Sequence, residues 1–171
     1  VAAVRLGEAA GRSRLRAIVA RPGSEIRRAL RVQTALALAQ GGDGTGMIVL
    51  VEALDACSAN EALCRSIVAG LGKLRDARAV PALIAQLPDV LTRVEVVQAL
   101  GEIGHTSGEP ALVERLKTDE YVPVRVAAAH ALARMGGARA VLALRWSASH
   151  EKEPRVAEAA RAGLAELRQG Q

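Results

Sequence analysis

The chain has 171 residues, half of them hydrophobic, yet only one is Trp, one is Tyr and none is Phe. That length supports one domain with a sizeable core, and Ala, Leu and Val must build it, which suits closely approaching helices better than stacked sheets. The formal charge is +5, but it is divided: residues 1–31 are net +6, residues 32–119 net −4 and residues 120–171 net +3, so no basic stripe crosses the middle and nucleic acid is disfavoured as a partner.

No apolar run approaches the roughly 18 residues of a membrane span, so membrane insertion is not expected. No secretory signal is visible, and a cytoplasmic location is favoured. Residues 1–19 read as the tail of a repeat, with Gly7, Leu15 and Val19 on its columns. The chain also opens on Val1 rather than Met, which points to upstream repeats or a removed segment.

Next comes the first of three gapless matching segments, residues 31–42 (RVQTALALAQGG), 93–104 (RVEVVQALGEIG) and 125–136 (RVAAAHALARMG). Each opens Arg-Val, has Ala-Leu at its seventh and eighth positions and ends in Gly. Residues 64–75 (CRSIVAGLGKLR) keep the Leu but lose the final Gly, and residues 157–168 (AEAARAGLAELR) keep Leu164 and Leu167. Eight residues after positions 42, 75, 104 and 136 stand Leu50, Leu83, Leu112 and Leu144; four further on stand Leu54, Leu87, Leu116 and Ala148. A spacing of four keeps side chains on one helical face, so each unit reads as two amphipathic helices, A then B, joined by a short turn. The layout is a half unit at 1–20, units at about 24–56, 58–88, 89–118 and 119–149, and a capping helix at 152–168, all in one domain. The outer face of that cap would carry Glu158, Arg161, Glu166 and Arg168.

The turns supply helix caps. Asp43, Asp76 and either Thr106 or Ser107 can accept the orphan N–H groups at the start of helix B, and Asp119 those of the helix containing Val124. Pro81 and Pro110 fall in first turns, where a missing N–H costs nothing. The glycine-rich stretch at 41–46 joins two helices rather than following a strand, and reads as a flexible turn, not a phosphate loop. Cys57 and Cys64 read as two small, partly buried free thiols; the alternative is a disulfide stapling one inter-repeat turn.

These residues, Arg-Val followed by Ala-Leu-Gly-x-Ile-Gly and then Ala-x-x-x-Leu-x-x-x-Leu, resemble the HEAT-repeat family. They look like the short bacterial HEAT-like repeats of the phycobilisome-lyase type, over about residues 24–168. The resemblance implies an all-α α-solenoid with A helices on the convex side and B helices on the concave side. Concave positions would then be Glu52, Ala85, Glu114 and Trp146 in one column, and Thr45, Arg78, Ser107 and Arg139 in another. A partner-binding surface is expected at Trp146, Glu114, Glu52, Arg78 and Arg139, with the Trp as aromatic anchor.

No catalytic, cofactor or metal site is expected. His105, His130 and His150 fall in different columns, with no shared ligand spacing. Deoxyhypusine hydroxylase, a HEAT-repeat enzyme, holds iron through His-Glu pairs, and only His150–Glu151 matches that pattern. HEAT-like DNA glycosylases use a basic, aromatic-lined face that this composition does not supply. The favoured function is a non-catalytic scaffold that binds a protein partner on the B-helix face. The alternative is an accessory subunit of a bilin-lyase-like or other modifying complex.

Overall fold

Placing Leu every fourth residue on both halves of each repeat leaves a helix no stable face except against its neighbours, and helices are what form. The computed structural model describes residues 2–21, 25–57 and 60–169, with side chains described from residue 9 in the first helix and from residue 28 in the second. No strand occurs among the described residues. The chain forms two compact units, Val1–Asp76 and Ala77–Gln171. The boundary falls inside the repeat that the sequence spacing draws at 58–88.

The first unit holds α1 (Ala2–Ala20), α2 (Glu25–Gln40), α3 (Met47–Leu54) and α4 (Glu61–Leu74), with a 3-10 turn at Gly44–Gly46 leading into α3. Helix α2 packs on α1, α3 and α4. The core is made by the predicted columns, with Leu38, Leu50, Leu54 and Leu71 all buried, and Ile67 joins them. The second unit holds a 3-10 turn at Ala77–Ala79, α5 (Val80–Gln86), α6 (Arg93–Ile103), a 3-10 turn at Thr106–Gly108, α7 (Glu109–Thr118), α8 (Val122–Met135), α9 (Gly137–His150) and α10 (Pro154–Gln169). Helix α8 packs on α6 and α10 on one hand and on α7 and α9 on the other. This is the stacking of an α-solenoid. Leu83, Leu100, Leu112, Leu116, Leu132 and Leu144 are buried. Glu158, Arg161, Glu166 and Arg168 are exposed on α10.

Small residues set how closely the A helices approach. A Cβ on Gly101 of α6 would lie 2.5 Å from the Ala131 Cβ of α8, and one on Gly163 of α10 would lie 2.6 Å from the Ala133 Cβ. These residues alternate between the seventh and ninth positions of successive segments, so the Ala-Leu-Gly pattern is a stacking contact repeated along the chain.

The helix ends differ in part from expectation. Gly42, Gly104 and Gly136 take positive φ, as helix-terminating glycines do. Where residues 64–75 lack that Gly, Arg75 takes the same left-handed conformation at φ 51°. Asp43 caps as expected, its Oδ1 accepting from the Thr45 N–H at 3.0 Å. In the third repeat, however, the cap is His105: its Nδ1 accepts from the Ser107 N–H at 3.3 Å, because an unprotonated imidazole nitrogen can replace a carboxylate oxygen there. Asp119 likewise does not cap α8, whose first turn has no side-chain cap; its Oδ1 accepts from the Tyr121 N–H within the preceding loop. Pro81 and Pro110 stand in the first turns of α5 and α7. The stretch at 41–46 is a tied turn rather than a loose one, since Gly46 backs onto Ala35 and Asp43 N–H donates to the Leu38 carbonyl at 2.9 Å.

The cysteines are not free. Cys57 and Cys64 form a disulfide across the α3–α4 turn, with Cα atoms 5.3 Å apart. The end of one helix and the first turn of the next are brought within bridging range by the tight connection, which a spacing of seven does not reveal.

Candidate functional site

The arginines of the Arg-Val pairs explain what holds the inter-repeat loops of the second unit. Arg93 donates from Nε to the Leu87 carbonyl at 2.7 Å and from Nη2 to the Pro88 carbonyl at 3.0 Å, while its Nη1 lies 3.2 Å from Asp119 Oδ2. Arg115 Nη1 reaches the same oxygen at 3.4 Å. Arg125 repeats the arrangement one unit on: Nη1 donates to the Asp119 carbonyl at 2.7 Å and Nε pairs with Glu151 Oε2 at 3.1 Å. Each arginine thus ties the loop before its own helix to an acid 26 residues ahead. The residue 26 after Arg31 is Cys57, so in the first unit the disulfide stands where the second unit uses ion pairs.

Beside this ladder lies a cavity of about 490 Å³, lined by Lys117, Asp119, Arg125, Trp146, His150 and Glu151, among others. Burial pushes the Glu151 carboxyl up, but the Glu153 backbone N–H, the hydrogen bond and charge of Arg125 and the Lys152 backbone N–H together outweigh it, so the group sits below its ordinary value. Both Asp119 and Glu151 are therefore engaged by structural arginines. Lys117 lies with its Nζ 5.4 Å from the Trp146 ring centroid, a cation–π distance. Trp146 stacks on His150 with centroids 5.3 Å apart and planes 6° from parallel. The His150 Nδ1 lies 3.0 Å from the Trp146 carbonyl and 2.8 Å from the Ser149 hydroxyl. Ser147, one turn before Glu151, is fully buried, and its hydroxyl has no hydrogen-bond partner among the described residues.

The residues expected to bind a partner are distributed as follows. Trp146 lies in the cavity wall and is 40% exposed. Glu114 is on α7, paired with the neighbouring Arg115 at 2.7 Å. Arg139 is in the first turn of α9, 3.8 Å from Glu109 and largely exposed. These three lie on the packed helices α7 and α9. Arg78 is exposed on the 3-10 turn before α5, and Glu52 is exposed on α3 of the first unit. Sequence reasoning missed Lys117, His150 and Leu142 as neighbours of Trp146. The signal was present for two of them: Leu142, Trp146 and His150 are spaced four apart, on one stripe of α9. Among the described residues no cluster of three or more His, Cys, Asp or Glu could hold a metal ion, and no helix is long and apolar enough to cross a membrane.

Residues 82–165 match the model of HEAT repeats, and residues 63–87 match the PBS lyase HEAT-like repeat. No curated protein matches the chain. Among solved structures, the chain is similar to the complex of CpcE and CpcF of phycocyanin lyase from Nostoc sp. PCC7120, with a TM-score of 0.64 and 25% identity over 89% of this chain. It spans 64% of the length of that chain. Human deoxyhypusine hydroxylase in complex with glycerol is a more remote likeness, at a TM-score of 0.48 and 15% identity over 96% of this chain and 99% of that one, and has no bearing on function. The two family matches together run from 63 to 165, more than half of the 171 residues, and the chain is a member of the HEAT-repeat family.

Proposed function

We propose that this chain is a subunit of a lyase-like, protein-modifying complex, in which it holds a protein partner. Of the two readings drawn from the sequence, the accessory subunit has more behind it than the general scaffold. The observation that carries it is the likeness to the CpcE–CpcF complex of a phycocyanin lyase across 89% of this chain, joined by the match of residues 63–87 to the PBS lyase repeat. The site chemistry is compatible with a holding role: Asp119 and Glu151 are tied to arginines, while Trp146 and Lys117 remain accessible at the cavity rim.

Affinity capture of the tagged full chain from its source cells, with quantitative mass spectrometry, tests this. The expected result is a second HEAT-repeat subunit recovered in fixed stoichiometry. A chain recovered without such a subunit would contradict the reading. Retention on DNA at physiological salt would instead favour a nucleic-acid function.

A further inference from the structure

Helix α9 presents a face that its own unit does not cover. Leu142 is 65% exposed and Trp146 40% exposed, and with His150 they form a stripe four residues apart. Arg139 and Arg145 flank the stripe from the same helix and are exposed. Lys117 adds a third cation against the Trp ring, and Lys152 a fourth at the cavity's edge. Helix α9 contains no Asp or Glu. Among the described residues Arg145 and Lys152 have no ion-pair partner, and Arg139 has only the 3.8 Å contact to Glu109. The nearby acids are committed elsewhere: Glu114 to Arg115, Asp119 to Arg93 and Arg115, and Glu151 to Arg125. Only Glu153 lines the cavity outside an ion pair.

An apolar stripe with an aromatic centre, bordered by exposed cations of which, among the described residues, only Arg139 has an acid in ion-pair range, at 3.8 Å, is complementary to one kind of occupant. We propose that the exposed face of α9 docks an amphipathic segment of a partner polypeptide whose apolar residues pack on Leu142 and Trp146 and whose flanking carboxylates meet Arg139, Arg145 and Lys117. The inference rests on the chain being a protein-binding subunit. It adds where the partner binds and what charge it carries.

Trp146 is the only Trp, so its fluorescence reports on this face alone. The probe is a synthetic amphipathic peptide of about four helical turns, with leucines along one face and glutamates flanking them, compared with a counterpart carrying lysines in place of the glutamates. In the full chain the glutamate peptide should shift Trp146 emission saturably, and more weakly as salt rises. In the double variant Arg139→Glu/Arg145→Glu, both changes being at exposed positions, its affinity should fall about tenfold or more and the lysine peptide should become the preferred ligand. The proposal is overturned if the two peptides act alike on the unaltered chain, if neither perturbs Trp146, or if charge reversal leaves the preference in place. Each of those outcomes leaves the complex reading standing, because that reading is judged by capture of a second HEAT-repeat subunit and not by the peptides.

Discussion

Asp119 has no exposed side-chain surface and meets two guanidinium groups, from Arg93 and Arg115, besides the Tyr121 N–H. Arg115 is already short of a contact, since its buried Nε has no hydrogen-bond partner among the described residues. Removing the carboxylate in Asp119→Ala leaves the largely buried Arg93 guanidinium without an acid and Arg115 with Glu114 alone, at a cost of about 3–5 kcal/mol in urea unfolding. Asp119→Asn, which keeps an acceptor for Tyr121, should cost less, and equal midpoints for both variants and the unaltered chain would refute the clamp. Glu151 makes a prediction about pH. Its carboxyl is held below the ordinary range in the folded chain, so its contribution is fully present above about pH 4.3, the unfolded value, and is lost as pH falls through the lower folded value. Glu151→Gln should flatten the part of the stability–pH curve below pH ~4.3, and a curve of unchanged slope there would show that the Arg125 pair contributes nothing.

At the level of helices, the close approach of α6 and α8 reverses a common expectation. Replacing Gly by Ala inside a helix usually stabilises it by up to about 1 kcal/mol. A Cβ on Gly101 would press within 2.5 Å of the Ala131 Cβ and 2.8 Å of its Cα, and overpacking of that kind costs about 1–3 kcal/mol. Gly101→Ala should therefore lower the thermal midpoint, and a raised midpoint would mean that the helices stand further apart. The turn between α3 and α4 depends on a covalent bond instead. Closing its seven-residue separation through Cys57–Cys64 stabilises by about 2–3 kcal/mol on a chain-entropy estimate. Reduction should speed hydrogen exchange around residues 54–64 while leaving α8 and α9 protected. Equal exchange before and after reduction would show that packing alone holds the turn.

For the whole chain, the sequence was most readable where one residue's role repeats within one helix. The leucines of both helical halves and the glycine stops at 42, 104 and 136 are all visible as columns. Roles that join separate elements were not visible. The arginines that open the Arg-Val pairs at 93 and 125 are conspicuous, but the acid each meets lies 26 residues ahead in another loop, beyond any helical period. Whether Cys57 meets Cys64 depends on the path of the turn between their helices, not on their spacing. Trp146 could be read as surface-facing from its column, whereas Lys117 comes to it from the neighbouring helix α7. Glu52 shares that column in sequence yet lies in the other compact unit.

The proposal that this HEAT-repeat chain works as one subunit of a protein-modifying complex is decided by native mass spectrometry of the tagged chain purified from its source cells. The expected spectrum is that of a discrete hetero-oligomer containing a second HEAT-repeat subunit. A spectrum showing only the chain itself, alone or as multiples of its own mass, would contradict it.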